Sequence, residues 1–155
     1  MFGWVVLGFV FGSLIEWAAH RYFLHNFTKR LFSHAHFSVH HKKCRKYSNF
    51  DDDYISFPPT SVDRGGKEVI LLISLVAAFT PIILISFWLW VGLLGHSLLY
   101  HFLHRKSHID TKWGKKWMPW HWDHHMGKNQ NCNWGVTSPI FDYIFRTRET
   151  YKSDE

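Results

Sequence analysis

The sequence predicts an all-α fold embedded in a membrane. Three observations carry that expectation: two long apolar blocks without a basic residue, two basic blocks alternating with them, and more aromatic side chains than a soluble core of this length needs. Of 155 residues, 46% are hydrophobic and 19% aromatic, with nine Trp. All eighteen Lys and Arg, behind a net charge of +6, fall within residues 21–67 and 105–152. Basic loops of membrane proteins collect on the cytoplasmic side, so both basic blocks are expected to face the cytoplasm.

The elements follow in order. The length suits one domain over residues 1–155. Residues 1–19 are apolar apart from Glu16 and reach about 28 Å as a helix, enough for one crossing. No Lys or Arg precedes this run and no small-residue cleavage site follows it, so it is expected to remain as an anchor rather than leave as a signal peptide. Residues 49–67 contain Asp51-Asp52-Asp53, Pro58-Pro59 and Gly65-Gly66 and are expected to form a turn-rich, solvated connection. Residues 69–95 carry no charge, and Thr80-Pro81 interrupts them where proline breaks a helix. A membrane hairpin over residues 69–100, turning near Pro81, returns the chain to the side it left. Beyond it, Trp113, Trp117, Trp120 and Trp122 alternate with lysines, a mixture suited to the membrane interface.

Several function classes are excluded. The basic residues share the chain with long uncharged runs and form no helix-turn-helix, finger or RNA-binding pattern, so no nucleic-acid partner is expected. Cys44 and Cys132 form no CxxC pair, which argues against disulfides and a cysteine-based zinc site. No Ser-His-Asp arrangement, phosphate-binding glycine loop or dinucleotide fingerprint is present.

The informative residues are thirteen histidines, all from His20 onward. His20 and His25 form an HxxxxH pair; His36, His40 and His41 form HxxxHH; His121, His124 and His125 form HxxHH. A looser series, His96, His101, His104 and His108, runs along the end of the second apolar block. Residues three or four apart share a helix face, so His36 with His40, and His121 with His124 or His125, can aim two imidazoles at one point. Neutral imidazoles suit iron, zinc, copper or nickel, and two ions with about five imidazoles each would use the supply. His34 lies outside this spacing and is expected at the surface. Glu16, one turn before His20, is either an acceptor orienting a ligand ring or an interfacial carboxylate; Asp123 is expected to be a solvated charge.

With these motifs the chain resembles the fatty acid hydroxylase and sterol desaturase superfamily of membrane proteins. The resemblance rests on Glu16-Trp-Ala-Ala-His20-Arg-Tyr-Phe-Leu-His25, on His36-xxx-His40-His41, and on Phe57-Pro58-Pro59 before the hairpin. It ends on His121-xx-His124-His125 followed by Asn133-Trp-Gly-Val-Thr-Ser-Pro-Ile-Phe-Asp142-Tyr-Ile-Phe-Arg-Thr147. It implies a cytoplasmic di-metal cap with ligands His20, His25, His36, His40, His41, His121, His124 and His125, plus two from the looser series. There Tyr100 stands where fatty acid hydroxylases begin an HxxxH motif that His104 completes, whereas His96 and His101 fit the HxxxxH of carotenoid hydroxylases. His101 and His104 rank first, then His96, with His108 last. Met1 is expected to stand near the start of the family's second membrane helix. The resemblance further implies two iron ions, for which zinc can substitute on purification, and O₂ as co-substrate. Electrons would come from a separate haem protein or ferredoxin. The reaction would be hydroxylation or desaturation of an aliphatic carbon in a fatty acyl chain, sterol or carotenoid, with no catalytic side chain beyond the ligands. The alternatives are a non-catalytic family member and a metal-binding membrane protein.

Overall fold

The computed structural model describes residues 1–25, 34–56 and 64–151, and no strand occurs among them. Helix α1 (Phe2–Ala19) runs through the first apolar block and widens into a π-helical turn, His20–Leu24. A second π-helical stretch, His34–His41, leads into the short helix α2 (Lys42–Lys46). A 3₁₀ turn, Asp52–Tyr54, follows. Helix α3 (Arg64–Ala78) is succeeded by a 3₁₀ turn at Thr80–Leu84, with Pro81 in its first turn, and by helix α4 (Phe87–Ile109). The Ser86 hydroxyl caps α4 by accepting from Leu89 N at 3.4 Å. Helices α5 (Thr111–Trp117), α6 (Pro119–Met126) and α7 (Ile140–Ile144) complete the cap. Asp110 caps α5 by accepting from Trp113 N at 3.1 Å, and proline opens α6, where its missing N–H costs nothing.

The chain turns back near Pro81 as a helical hairpin, with one change from the expected bounds. The chain reverses between α3 and α4, so Glu68 near the start of α3 meets His101 and His104 near the end of α4. The helix, however, begins at Arg64 and absorbs Gly65-Gly66, which the sequence suggests as a turn. Tertiary contact outweighs glycine's weak helix propensity here: Glu68 is held by two imidazoles and by the Tyr54 hydroxyl at 3.0 Å. Phe57-Pro58-Pro59 lies outside the described residues.

Helices α1 and α4 touch backbone to backbone. A Cβ on Gly8 would lie 2.0 Å from the Leu89 carbonyl oxygen, and one on Gly92 would lie 2.1 Å from that of Val5. Only glycine permits this approach, the small-residue contact that membrane helices use in place of a hydrophobic core. Phe2–Leu24 and Gly66–Leu84 are long and apolar enough to cross a membrane, yet only 28% and 0% of their most apolar windows are buried. A soluble core helix would bury most of its surface; here Leu7, Val10, Ile70, Ile73 and Phe102 are left exposed. The cap docks on α1 through a small core of Trp17, Trp134 and Phe141.

Candidate metal centre

Local helix geometry sorts the histidines into two groups. Five residues along an α-helix turn a side chain about 140° past its starting face, so an HxxxxH pair on such a helix would diverge. The π-helical turn, closed by His25 N donating to the His20 carbonyl at 3.2 Å, adds the residue that brings both rings to one side. The same widening over His34–His41 matches His36 with His41 rather than with His40. On α-helical stretches the ordinary spacing of four applies, matching His104 with His108 and His121 with His125.

The first group is His20, His25, His36, His41 and His124, whose candidate ligand nitrogens all lie within 4.8 Å of one another. The second contains His40, His104, His108 and His125 at the same limit. His121 joins it, with Nε2 at 3.2 Å from His108 Nε2. Each HH dipeptide divides its pair: His40 and His125 go to the second group, His41 and His124 to the first. The groups are therefore adjacent, the rings of His41 and His125 being 4.3 Å apart.

Proton accounting shows what these groups can hold. A neutral imidazole has one N–H and one lone pair. His20 Nδ1 is 2.7 Å from the Trp134 carbonyl, His124 Nδ1 2.6 Å from that of Cys132, and His108 Nδ1 2.8 Å from that of Asn49. A carbonyl only accepts, so each Nδ1 carries the proton and each Nε2 the lone pair. Carboxylates impose the same tautomer on His40, through Asp51 at 2.8 Å, and on His104, through Glu68 at 2.5 Å. In the first group the Nε2 atoms converge, with separations of 2.9 Å for His20–His36, 3.2 Å for His36–His41 and 3.1 Å for His41–His124, and His20 and His124 present lone pairs there. A cation at their centre would take a lone pair from each ring in place of nitrogen–nitrogen hydrogen bonds. Around an ion with metal–nitrogen bonds of about 2.1 Å, neighbouring ligands lie about 3.0–3.4 Å apart. In the second group His104 Nε2 and both His125 nitrogens are buried without a partner. Both donor sets fit a metal ion.

Burial keeps the rings neutral. His25 is held down to about 4, chiefly by burial. His36, His41, His108, His121, His124 and His125 are driven well below the usual imidazole range, first by burial and then by neighbouring imidazoles. Protons therefore compete poorly for these nitrogens. Cys44 and Cys132 form no disulfide, and burial followed by the Glu149 charge raises the Cys132 thiol to about 12.

Two candidates from the looser series lie elsewhere. His96 Nε2 is 3.1 Å from Thr137 Oγ1 and 3.2 Å from Glu16 Oε2, and His101 Nδ1 is 2.9 Å from Glu68 Oε1. Neither belongs to a group; His108, ranked last, does. His96 stands two helical turns before His104, too far back to reach, and the spacing of four from His104 selects His108. His34 is exposed, as expected.

The carboxylates also differ from expectation. Asp51 is fully buried against His40 and Lys43, rather than solvated. Asp123 is buried and pairs with Arg148 at 2.8 Å. The Glu16 carboxylate accepts from Val136 N, Thr137 N and Thr137 Oγ1, tying the 133–137 loop to α1 rather than orienting the His20 ring. Sequence reasoning missed Glu68, Asn49 and Asn133. Both asparagines adopt left-handed backbone, with φ of 69° and 57°, which asparagine tolerates better than most residues. They lie at or beside the carbonyls that orient His108, His20 and His124. The one available signal was Asn133 standing in the stretch that carries the family resemblance. The expected interfacial Trp residues are mixed: Trp117 is exposed, whereas Trp120 Nε1 donates to the Val136 carbonyl at 2.9 Å.

An apolar cavity of about 490 Å³ opens between α1, α3 and α4. Its wall includes His20 of the first group and Glu68, which holds His104 of the second. Apolar helices, a cavity between them and two buried polyhistidine groups at its end define a membrane-type, histidine-rich candidate metalloprotein. The sequence model of the fatty acid hydroxylase family matches residues 5–147. The chain belongs to that family, which implies an oxidoreductase and, with the two apolar helices, points to a membrane location. Comparison with curated proteins and with solved structures gave no match.

Proposed function

We propose that this protein is a membrane-bound di-iron oxygenase that hydroxylates or desaturates an aliphatic carbon of a lipid. The observation carrying the reading is the meeting of two five-histidine groups, their ring nitrogens converging, at the end of an apolar cavity. His20, His25, His36, His41 and His124 would hold one ion, and His40, His104, His108, His121 and His125 the other. Bound there, a redox-active pair supplies the activation of O₂ needed to attack an unactivated C–H bond. The chain's own part is to fix ring tautomers through the Trp134, Cys132 and Asn49 carbonyls and the Asp51 and Glu68 carboxylates. The cavity wall excludes water and holds one carbon of the substrate beside His20 and Glu68. Electrons come from a separate redox protein, and the histidine groups face the cytoplasm.

The test is reconstitution with iron, a reductant and lipids under ¹⁸O₂. A hydroxylated product should carry the label and a desaturated one should appear with O₂ consumption. Label entering from water rules out the oxygenase. No O₂ consumption across acyl lipids, sterols and carotenoids leaves a non-catalytic metal protein. Labelling of Ser48→Cys and Lys112→Cys in sealed vesicles should place both on the cytoplasmic face.

A further inference from the structure

The shape of the cavity carries a statement about which carbon is presented. Its α3 wall is a single helical stripe, Glu68, Leu71, Leu72, Leu75 and Phe79. Eleven residues separate the ends of that stripe, a rise of about 16 Å. A sphere of 490 Å³ would be about 10 Å across, so the space is elongated along the helices, a shape that suits an extended hydrocarbon chain. One end meets His20 and Glu68 at the metal centre. At the other stands Phe79, in the hairpin turn, its ring braced edge-on by Phe11 of α1 at 5.7 Å and 88°.

Little along the wall can recognise a polar group. Glu16 is occupied by Val136, Thr137 and His96, and the Ser97 hydroxyl donates to the Leu93 carbonyl. An occupant is therefore positioned by length. Resting on the lipid-oxygenase reading above, we infer that Phe79 is the floor of a linear acyl-chain slot and sets the number of carbons between the substrate's terminal methyl and the metal centre. Single C–C bonds of about 1.5 Å advance an extended chain about 1.25 Å per carbon, so about 13 carbons fill the slot. Phe79 is a specificity-determining residue: it touches the far end of the substrate and takes no part in the chemistry.

The experiment measures displacement of a fluorescent fatty acid from purified, metal-loaded protein by saturated fatty acids of increasing length. In the wild type, affinity should rise with each methylene, up to about fourfold, and stop rising once the slot is full. Removing the ring in Phe79→Ala deepens the floor by about 4 Å and should move the break about three carbons longer. Leu72→Phe narrows the slot midway and should move it shorter. Metal content verifies that each variant is folded; if Phe79→Ala loses metal, Phe79→Leu and Leu72→Phe decide. Breaks at the wild-type length in folded variants, or no break in the wild type, overturn the inference. Oxygenase assays on the same preparations separate the two claims. A shifted break without lipid oxidation refutes the oxygenase and leaves the slot standing, whereas oxidation with unshifted breaks does the reverse.

Discussion

Replacing Asp142 by Asn tests how the cap orients a metal ligand from a distance. Asp142 is fully buried. Its Oδ1 accepts from Trp134 N at 2.8 Å, Trp17 Nε1 at 3.1 Å and Thr147 Oγ1 at 2.7 Å, and its Oδ2 accepts from Gly135 N at 2.8 Å. The amide is isosteric but carries only one acceptor atom. With its oxygen kept towards three donors, the NH₂ faces the Gly135 N–H, donor against donor. One charge-assisted bond is lost, worth about 1.5–3 kcal/mol, and the remaining three weaken towards neutral strength. A loss of about 2–4 kcal/mol follows, and the residue loosened first is Trp134, whose carbonyl fixes the His20 tautomer. Disturbing such an orienting partner costs about 10–100-fold in metal affinity. Asp142→Asn should therefore lower the Tm in detergent and weaken one of two metal equivalents in a chelator titration, leaving the second near wild type. Asp142→Ala, which strands four donors, should be worse. Unchanged Tm and two wild-type metal affinities in Asp142→Asn would refute the chain of reasoning from Asp142 to His20.

Three further outcomes are expected. His104→Ala and His108→Ala should each reduce bound metal, while His34→Ala should keep it and His96→Ala should keep both equivalents with a lowered Tm; metal loss in His96→Ala equal to that in His108→Ala would reverse the grouping. In chelator-stripped protein the lowered histidines bind protons more readily unfolded than folded. Stability should thus be level well above 6.5, the ordinary imidazole value, and fall as pH drops below it, with the contribution of His25 levelling off near 4; each such histidine adds up to about 1.4 kcal/mol per pH unit, and a Tm rising from pH 7 to 5 would contradict the burial of neutral rings. Gly92→Val should force α4 off α1, since even a methyl would stand 2.1 Å from the Val5 carbonyl oxygen; overpacking of this kind costs about 1–3 kcal/mol, and an unchanged Tm would show that the crossing is looser than described.

The histidine motifs and the apolar blocks are local patterns, so the sequence by itself determined an all-α chain with a hairpin near Pro81, eight of the ten grouped histidines and the family. It also named His104. What spacing could not decide was the division into two groups. The π-helical turns pair His36 with His41, and an α-helical rule had pointed to His40. His108 over His101 was likewise decided in three dimensions, because the Asn49 carbonyl turns His108 into the second group, whereas His101 lies outside it. The carboxylates were least legible of all: Asp51, in a row of three acids, looked like solvent-facing charge, and only the arrival of His40 and Lys43 from another segment makes its burial affordable in free energy. Sequence sets which side chains are available and with what local period; the partners that fix each imidazole's proton, and thereby its lone pair, come from segments up to 114 residues away, as Trp134 does for His20, and only tertiary packing brings them into reach.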